Sequence, residues 1–157
     1  MKVPLSAIEP GFGNPFNGYF WAMEVHDGWL YLGTMDTCLW SRYFKTEGMK
    51  PHMREIVEGV GLENIIGQHG GCDLWRTADG ENWMPITRTG FDNEYNYGIR
   101  NMQSTPYGMF VAVANPFGPR VAVNRDGKWQ YEDNPKGGLE IWLGTKDEFK
   151  RPTLQPR

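Results

Sequence analysis

Residues 11–36 read GFGNPFNGYFWAMEVHDGWLYLGTMD, and residues 90–115 read GFDNEYNYGIRNMQSTPYGMFVAVAN. The two stretches align without a gap, 79 residues apart, and share a glycine, a phenylalanine, two asparagines and a methionine. The matched pairs are Gly11 and Gly90, Phe12 and Phe91, Asn14 and Asn93, Asn17 and Asn96, and Met23 and Met102. A shorter matching pair follows at residues 70–75 and 137–142. Self-similarity at a fixed period predicts a repeat architecture, in which a unit buries its faces only by stacking on a neighbour.

The composition favours one all-β domain. A chain of 157 residues can form a single hydrophobic core, and its 20 glycines and 11 prolines suit short strands joined by tight turns. The net charge of −3 and the lack of a Lys/Arg cluster argue against a nucleic-acid partner. No apolar run approaches the roughly 18 residues of a membrane span. We therefore expect no membrane partner and, if the chain is complete, a cytoplasmic location.

Each repeat predicts a four-stranded antiparallel unit. In repeat one, residues 11–89, we expect strands at 20–25, 29–33, 72–76 and 83–87. In repeat two, residues 90–157, we expect strands at 98–104, 109–114, 139–143 and near 147–153. Asp-Gly pairs such as Asp27-Gly28 and Asp79-Gly80 are typical of the turns that close such hairpins.

Long insertions separate the second and third strands of both repeats, at 37–70 and 116–136. The first insertion is expected to hold the only helix, which Pro51 opens and Gly59 and Gly61 end. Its apolar residues have helical spacing, at Met53, Ile56, Val57 and Val60. The second insertion is expected to form a hairpin from 120–124 and 128–131.

The motif Thr77-Ala78-Asp79-Gly80-Glu81-Asn82-Trp83 resembles the Asp-box, the Ser/Thr-x-Asp-x-Gly-x-x-Trp hairpin of BNR and sialidase-like β-propellers. Residues 28–34 and 71–75 are similar to blade motifs of uncharacterised bacterial propeller proteins. The resemblance implies a β-propeller with Asp79, Gly80 and Trp83 in a structural role. Repeat two has no intact box, and no arginine cluster with a Tyr/Glu pair is recognisable, so sialidase activity is not implied.

Two propeller blades would leave unpaired sheet faces and edges, which are prone to association. We therefore expect further material to complete a ring. Either identical chains assemble head to tail, with three two-blade chains giving six blades, or the chain belongs with a missing propeller half or a partner subunit.

In such a propeller, the asparagine-containing loops and the two insertions emerge on one face, where binding sites commonly lie. The residues expected to contact a ligand there are Trp21, Asp36, Asn96, Tyr97, Arg100 and Asn115. Arg100 takes the repeat position of Trp21, near the start of the innermost strand, where it could hold a carboxylate or phosphate. A salt bridge is the alternative role for Arg100, and turn formation is the favoured role for the repeated asparagines.

Two classes of function remain open. The favoured one is a ligand-binding or interaction module whose aromatic loops hold a small polar or sugar-like ligand. The alternative is a hydrolase or lyase, or a fragment of one, that pairs Asp36 with Glu63, Asp92 or Glu94. No cofactor is predicted. His26, His52 and His69 lack metal-ligand spacing, so no metal site is predicted; a His69/Cys72 pair with Asp36 or Cys38 is the disfavoured alternative. Cys38 and Cys72 are expected to be free, buried thiols rather than a disulfide.

Overall fold

The computed structural model describes residues 8–48, 50–125 and 127–145. These residues form a mainly β structure built around a curled antiparallel sheet. Its strands are β1 (Asn17–His26), β2 (Trp29–Asp36), β3 (Leu74–Thr77), β4 (Met84–Thr87), β5 (Gly98–Thr105), β6 (Gly108–Ala114), β7 (Arg120–Arg125), β8 (Lys128–Asp133) and β9 (Ile141–Gly144). The predicted strands in these residues are confirmed, with ends that differ by at most three residues. The fourth strand expected near 147–153 lies outside the described residues.

The sheet follows the two repeats. Consecutive antiparallel ladders join β1 to β2, β2 to β3 and β3 to β4 in repeat one, while β5, β6 and β9 pair in the same way in repeat two. A single bridge between Met35 and Gly98 links the two sets of strands. The β7–β8 hairpin forms a separate two-stranded sheet, at the place predicted for it in the second insertion.

The expectation of one helix is wrong, because the first insertion contains two. The helix α1 (Pro51–Val60) is followed at once by α2 (Leu62–His69). Gly61, with φ of 86°, ends α1 and precedes α2, a backbone conformation that glycine adopts without steric cost. Ile65 and Ile66 are buried on α2, whereas Ile56 and Val60 of the predicted helix are exposed. The apolar side chains of α1 therefore include exposed ones, whereas α2 carries the buried isoleucines.

Two hydrophobic cores hold the structure together. The first lies between the strands of the two repeats, where Leu74 and Ile99 pack with Met109, Val111 and Val113. The second joins the two insertions, and its buried members are Cys38, Leu39, Ile65, Ile66, Phe117 and Val121. The insertions therefore pack against each other on one side of the sheet, together with aromatic residues of the asparagine-containing loops.

Both cysteines are free thiols in these cores, which confirms the favoured prediction. Burial raises the pKa of Cys38 to about 12 and also raises that of Cys72, so neither thiol is reactive at neutral pH. None of the helices in the described ranges has the length and apolar character needed to cross a bilayer.

Candidate functional site

The repeated asparagines hold equivalent hydrogen bonds in the two repeats. Asn17 donates through Nδ2 to the carbonyl of Gly11 at 2.9 Å and to Asp73 Oδ2 at 3.0 Å. Asn96 donates to the carbonyl of Gly90 at 2.8 Å and to Glu140 Oε2 at 2.8 Å. Each amide thus ties a loop to a carboxylate on a distant part of the chain, which is how the repeated sequence produces repeated geometry.

A tryptophan and a phenylalanine complete each of these clusters. Trp75 Nε1 donates to Asp73 Oδ2 at 3.1 Å, and Trp142 Nε1 donates to Glu140 Oε2 at 3.0 Å. The rings of Phe12 and Trp75 stack at 4.8 Å, and those of Phe91 and Trp142 stack at 4.6 Å. Asp73 and Glu140 are therefore anchored by indole and amide donors.

Three of the expected ligand contacts are buried and internally bonded. Asp36 Oδ2 accepts a hydrogen bond from Asn14 at 3.2 Å, and Asp36 Oδ1 accepts one from the Cys38 amide at 2.8 Å. Asn115 Nδ2 donates to Asn96 Oδ1 at 3.0 Å. These groups secure the base of the insertions and leave little of their surface for a ligand.

Burial raises the pKa of Asp36 to about 7, and the nearby Asp73 carboxylate adds to the increase. Hydrogen bonds from the Cys38 amide and from Asn14 oppose it. Burial likewise raises the pKa of Asp73, against the hydrogen bonds from Trp75 and Asn17. The protein therefore buries two carboxylates whose environments disfavour their charged forms.

The other three expected contacts, Trp21, Tyr97 and Arg100, lie together. The rings of Trp21 and Tyr97 are 5.6 Å apart, and the guanidinium carbon of Arg100 lies 5.1 Å from the Trp21 ring centroid. Tyr19, which was not predicted, extends the group with an edge contact to Trp21 at 6.3 Å. Tyr19 and Arg100 are exposed, so the group presents aromatic surface and a cation to solvent. The aromatic run at Tyr19-Phe20-Trp21 was the signal that could have identified Tyr19.

A polar cleft of about 380 Å³ lies between the insertions and the Gly90 loop. Its charged lining residues are Arg42, Glu63, Asp92, Glu94 and Lys136. Three carboxylates proposed from the sequence thus share one cleft, but Asp36 does not line it. Lys136 precedes Gly137-Gly138 as His69 precedes Gly70-Gly71, a correspondence that could have identified it from the sequence.

Two of the three cleft carboxylates are paired with cations. Glu63 Oε2 is 2.6 Å from Arg42 Nη2, and Glu94 Oε2 is 2.9 Å from Lys136 Nζ. Partial burial raises the pKa of Glu94, but the Lys136 hydrogen bond and charge, together with a backbone hydrogen bond and the Arg42 charge, hold it below its ordinary value. A carboxyl group in this state does not serve as a general acid at neutral pH, because it carries no proton to donate.

Residues 79–83 form the hydrogen bonds of a tight turn. Asp79 Oδ1 accepts from the amides of Glu81 at 2.9 Å and Asn82 at 2.7 Å, and Trp83 Nε1 donates to the Gly80 carbonyl at 3.0 Å. The Asn82 side chain and these amides lower the pKa of Asp79. Within the described ranges, no group of three or more His, Cys, Asp or Glu side chains is arranged to hold a metal ion.

No protein-family model, curated protein or solved structure matches this chain. The resemblance to Asp-box propellers therefore rests on the motifs of the chain itself.

Proposed function

We propose that this chain is a ligand-binding module of the β-propeller class, and that Trp21, Tyr97 and Arg100 bind a small, acidic, sugar-like ligand. One observation carries the proposal: a solvent-exposed guanidinium lies against an aromatic pair, with Arg100 5.1 Å from the Trp21 centroid. Aromatic faces pack on the apolar faces of sugar rings, and a guanidinium binds a carboxylate through two parallel hydrogen bonds.

The surroundings of the Arg100 guanidinium support this assignment. Within the described ranges, no carboxylate lies at ion-pair distance from its guanidinium, whereas Arg42, Arg88, Arg120 and Arg125 all have such partners. An exposed arginine held over a tryptophan retains its donors for an incoming anion. The neighbouring Tyr19 ring enlarges the surface on which a sugar could stack.

A titration of the purified full chain with glucuronic acid and glucose, followed by ligand-observed NMR, tests the proposal. We expect glucuronic acid to bind more tightly, and Arg100→Ala to weaken its binding at least tenfold while the melting temperature is unchanged. Arg100→Lys should retain part of the affinity, because it keeps the charge but loses the bidentate geometry. Lys128→Ala, an exposed cation on the β7–β8 hairpin, is the matched control and should bind as wild type.

Equal binding of both sugars, or unchanged binding by Arg100→Ala, would contradict the acidic-ligand site. Unfolding of Arg100→Ala would indicate a packing role for the arginine instead.

The second candidate function is a hydrolase or lyase, or a subunit of one, acting on a glycan in the polar cleft. The gathering of Glu63, Asp92 and Glu94 favours it. The ion pairs of Glu63 and Glu94 favour binding over catalysis, as does the lowered pKa of Glu94. Release of reducing ends from a glycan library, abolished by both Asp92→Asn and Glu94→Gln, would establish the enzyme.

The propeller class supplies the wider context of this proposal. Repeats one and two are proposed as two blades, and the ring that contains them is completed by further copies of the chain or by a companion protein. Equivalent hydrogen-bond clusters in the two repeats, at Asn17 and Asn96, support this reading.

A further inference from the structure

The interface between the two repeats pairs two different faces. Repeat one contributes Cys72 and Leu74, which are 0% and 2% exposed, and repeat two contributes Ile99, which is 0% exposed. All three belong to the core between the strands of the two repeats. The contact is close, since a Cβ placed on Gly33 of repeat one would lie only 2.2 Å from Ile99. One face of a repeat therefore packs on the opposite face of the next.

Repeat two carries its own version of the face that repeat one buries. Leu139 and Ile141 occupy the repeat positions of Cys72 and Leu74, yet they are 68% and 64% exposed. The same two positions are thus buried in repeat one, where repeat two packs on them. In repeat two, the described residues leave them mostly exposed. We call Leu139, Ile141 and the adjacent Phe110 and Ala112 of β6 the back face.

Repeat one exposes the face that repeat two buries, at the other end of the chain. Phe20 and Met23 occupy the repeat positions of Ile99 and Met102, and they are 58% and 54% exposed, whereas Ile99 is fully buried. Val25 is also exposed on the same strand. We call Phe20, Met23 and Val25 the front face.

We propose that a second copy of this chain packs its front face on the back face of the first. The internal interface argues for this occupant, because it already joins a face equivalent to the back face with a face equivalent to the front face. Both exposed faces are apolar, and apolar surface of this kind marks interaction sites. The inference rests on the proposed pairing of two equivalent units. Its junction includes Arg100 and Tyr19 of the proposed ligand site, so the two proposals are tested on separate variants.

The repeat also specifies direction. Front-to-front or back-to-back pairing has no counterpart among the described residues, whereas front-to-back pairing reproduces the contact already made between the repeats. Such heterologous contacts add copies in one rotational sense and close into a ring when the rotation permits. Ala112 and Phe20 replace the smaller pair Gly33 and Ile99 at this junction, so the two copies lie further apart than the two repeats.

The junction also brings a new polar pair together. Within the chain, Trp21 packs closely on Gly98, since a Cβ on Gly98 would lie 2.4 Å from the Trp21 ring. The repeat equivalents are Arg100 on one copy and Tyr19 on the next. A guanidinium over a tyrosine ring is a favourable cation–π arrangement. The larger Tyr19 side chain, like Phe20, requires a wider spacing between the copies than between the repeats.

Native mass spectrometry and light scattering of the full chain give the first test. We expect a closed oligomer with one defined number of copies across a tenfold range of protein concentration. A monomer over this range would overturn the proposal. A stable complex only with a different protein would overturn it as well.

Charge substitutions on the two faces give the sharper test. Met23→Lys disrupts the front face and Ile141→Lys disrupts the back face, and each variant alone should be monomeric. An equimolar mixture should form a dimer and nothing larger, because each mixed pair retains one intact junction. Phe44→Lys, at an exposed aromatic residue outside both faces, should assemble as wild type. Circular dichroism should show folded variants, since both substituted side chains are more than half exposed.

Val25→Lys and Leu139→Lys provide a second front and back pair if one of the first variants is unfolded. Homodimers of either single variant, or a mixture that remains monomeric, would overturn head-to-tail packing. Glucuronic acid binding by the monomeric variants is measured separately, so loss of assembly and failure of the ligand site are distinguishable.

Discussion

The two repeats differ at one equivalent position, which holds an asparagine in repeat two and an aspartate in repeat one. In repeat two, Asn115 Nδ2 donates to Asn96 Oδ1 at 3.0 Å. In repeat one the equivalent residues are Asp36 and Asn17, and Asn17 Oδ1 is buried with no hydrogen-bond partner among the described residues. An ionised carboxylate cannot supply the missing donor, whereas a protonated carboxyl group could.

The aspartate of repeat one makes the number of hydrogen-bond donors at this position depend on pH. The amide of Asn115 is a donor at every pH, but Asp36 becomes one only when it binds a proton. Burial raises the pKa of Asp36 to about 7, which places that change near neutrality. Repeat one therefore has an ionisable group at the position where repeat two has a permanent donor.

The largest expected effect is on the pH dependence of stability. A folded-state pKa near 7, against 3.8 for the unfolded chain, means that the folded protein binds more protons between these values. Its stability therefore falls as the pH rises from about 4 to 7, by up to about 4 kcal/mol from this one group. The raised pKa of Asp73 acts in the same direction. Urea unfolding at a series of pH values measures the slope.

Asp36→Asn should remove most of that slope, because it gives repeat one the residue found at position 115. We expect the variant to exceed wild-type stability at pH 8 and to match it near pH 4, with a residual slope from Asp73. Asn115→Asp is the reciprocal variant and should introduce a second pH-dependent loss. An unchanged slope in Asp36→Asn would show that Asp36 is not the titrating group.

A smaller effect distinguishes the paired asparagines. Asn96→Ala removes two donated hydrogen bonds and the acceptor for Asn115, and it leaves the Glu140 carboxylate less well satisfied. We expect it to lower the free energy of unfolding by about 3 kcal/mol. Asn17→Ala should cost about half as much, because its Oδ1 has no partner to lose in the part of the chain that the structure describes.

Chemical denaturation of the two asparagine variants at pH 7 gives the comparison. If Asn17→Ala were the more damaging of the two, the proposed inequality between the clusters would be wrong.

The smallest effect concerns the Asp79 turn of repeat one, whose sequence motif is not intact in repeat two. Asp79→Ala removes acceptors from the Glu81 and Asn82 amides, so it should lower the melting temperature less than Asn96→Ala does. Glucuronic acid binding should not change, because the turn contributes no residue to the proposed site. A selective loss of binding with unchanged stability would assign Asp79 to function instead. Asp79→Asn, which keeps one acceptor, should have an intermediate melting temperature.

Much of the fold was predictable because local sequence patterns dictate it. Alternating apolar residues and Asp-Gly turns predicted the strands and hairpins, including the β7–β8 hairpin within the second insertion. The second helix was missed because Leu62–His69 is short and follows a glycine that reads as a helix end. Gly61 both ends one helix and allows the next to begin, which only its backbone angles reveal.

The candidate site was less predictable, because residues that are close in sequence differ in burial. Asn96 and Arg100 lie four positions apart, yet one is fully buried and the other exposed. The grouping of Trp21 with Tyr97 depends on the contact between strands of different repeats, and no local pattern encodes that distance.

Periodicity and turn chemistry are local properties of the chain. The sequence alone therefore indicated two similar β units with long insertions at equivalent positions. Tertiary structure alone decided which carboxylates are buried, which arginine remains open to solvent and which apolar faces are covered. Those outcomes depend on distances between residues far apart in the chain, and these distances exist only once the two repeats have packed together.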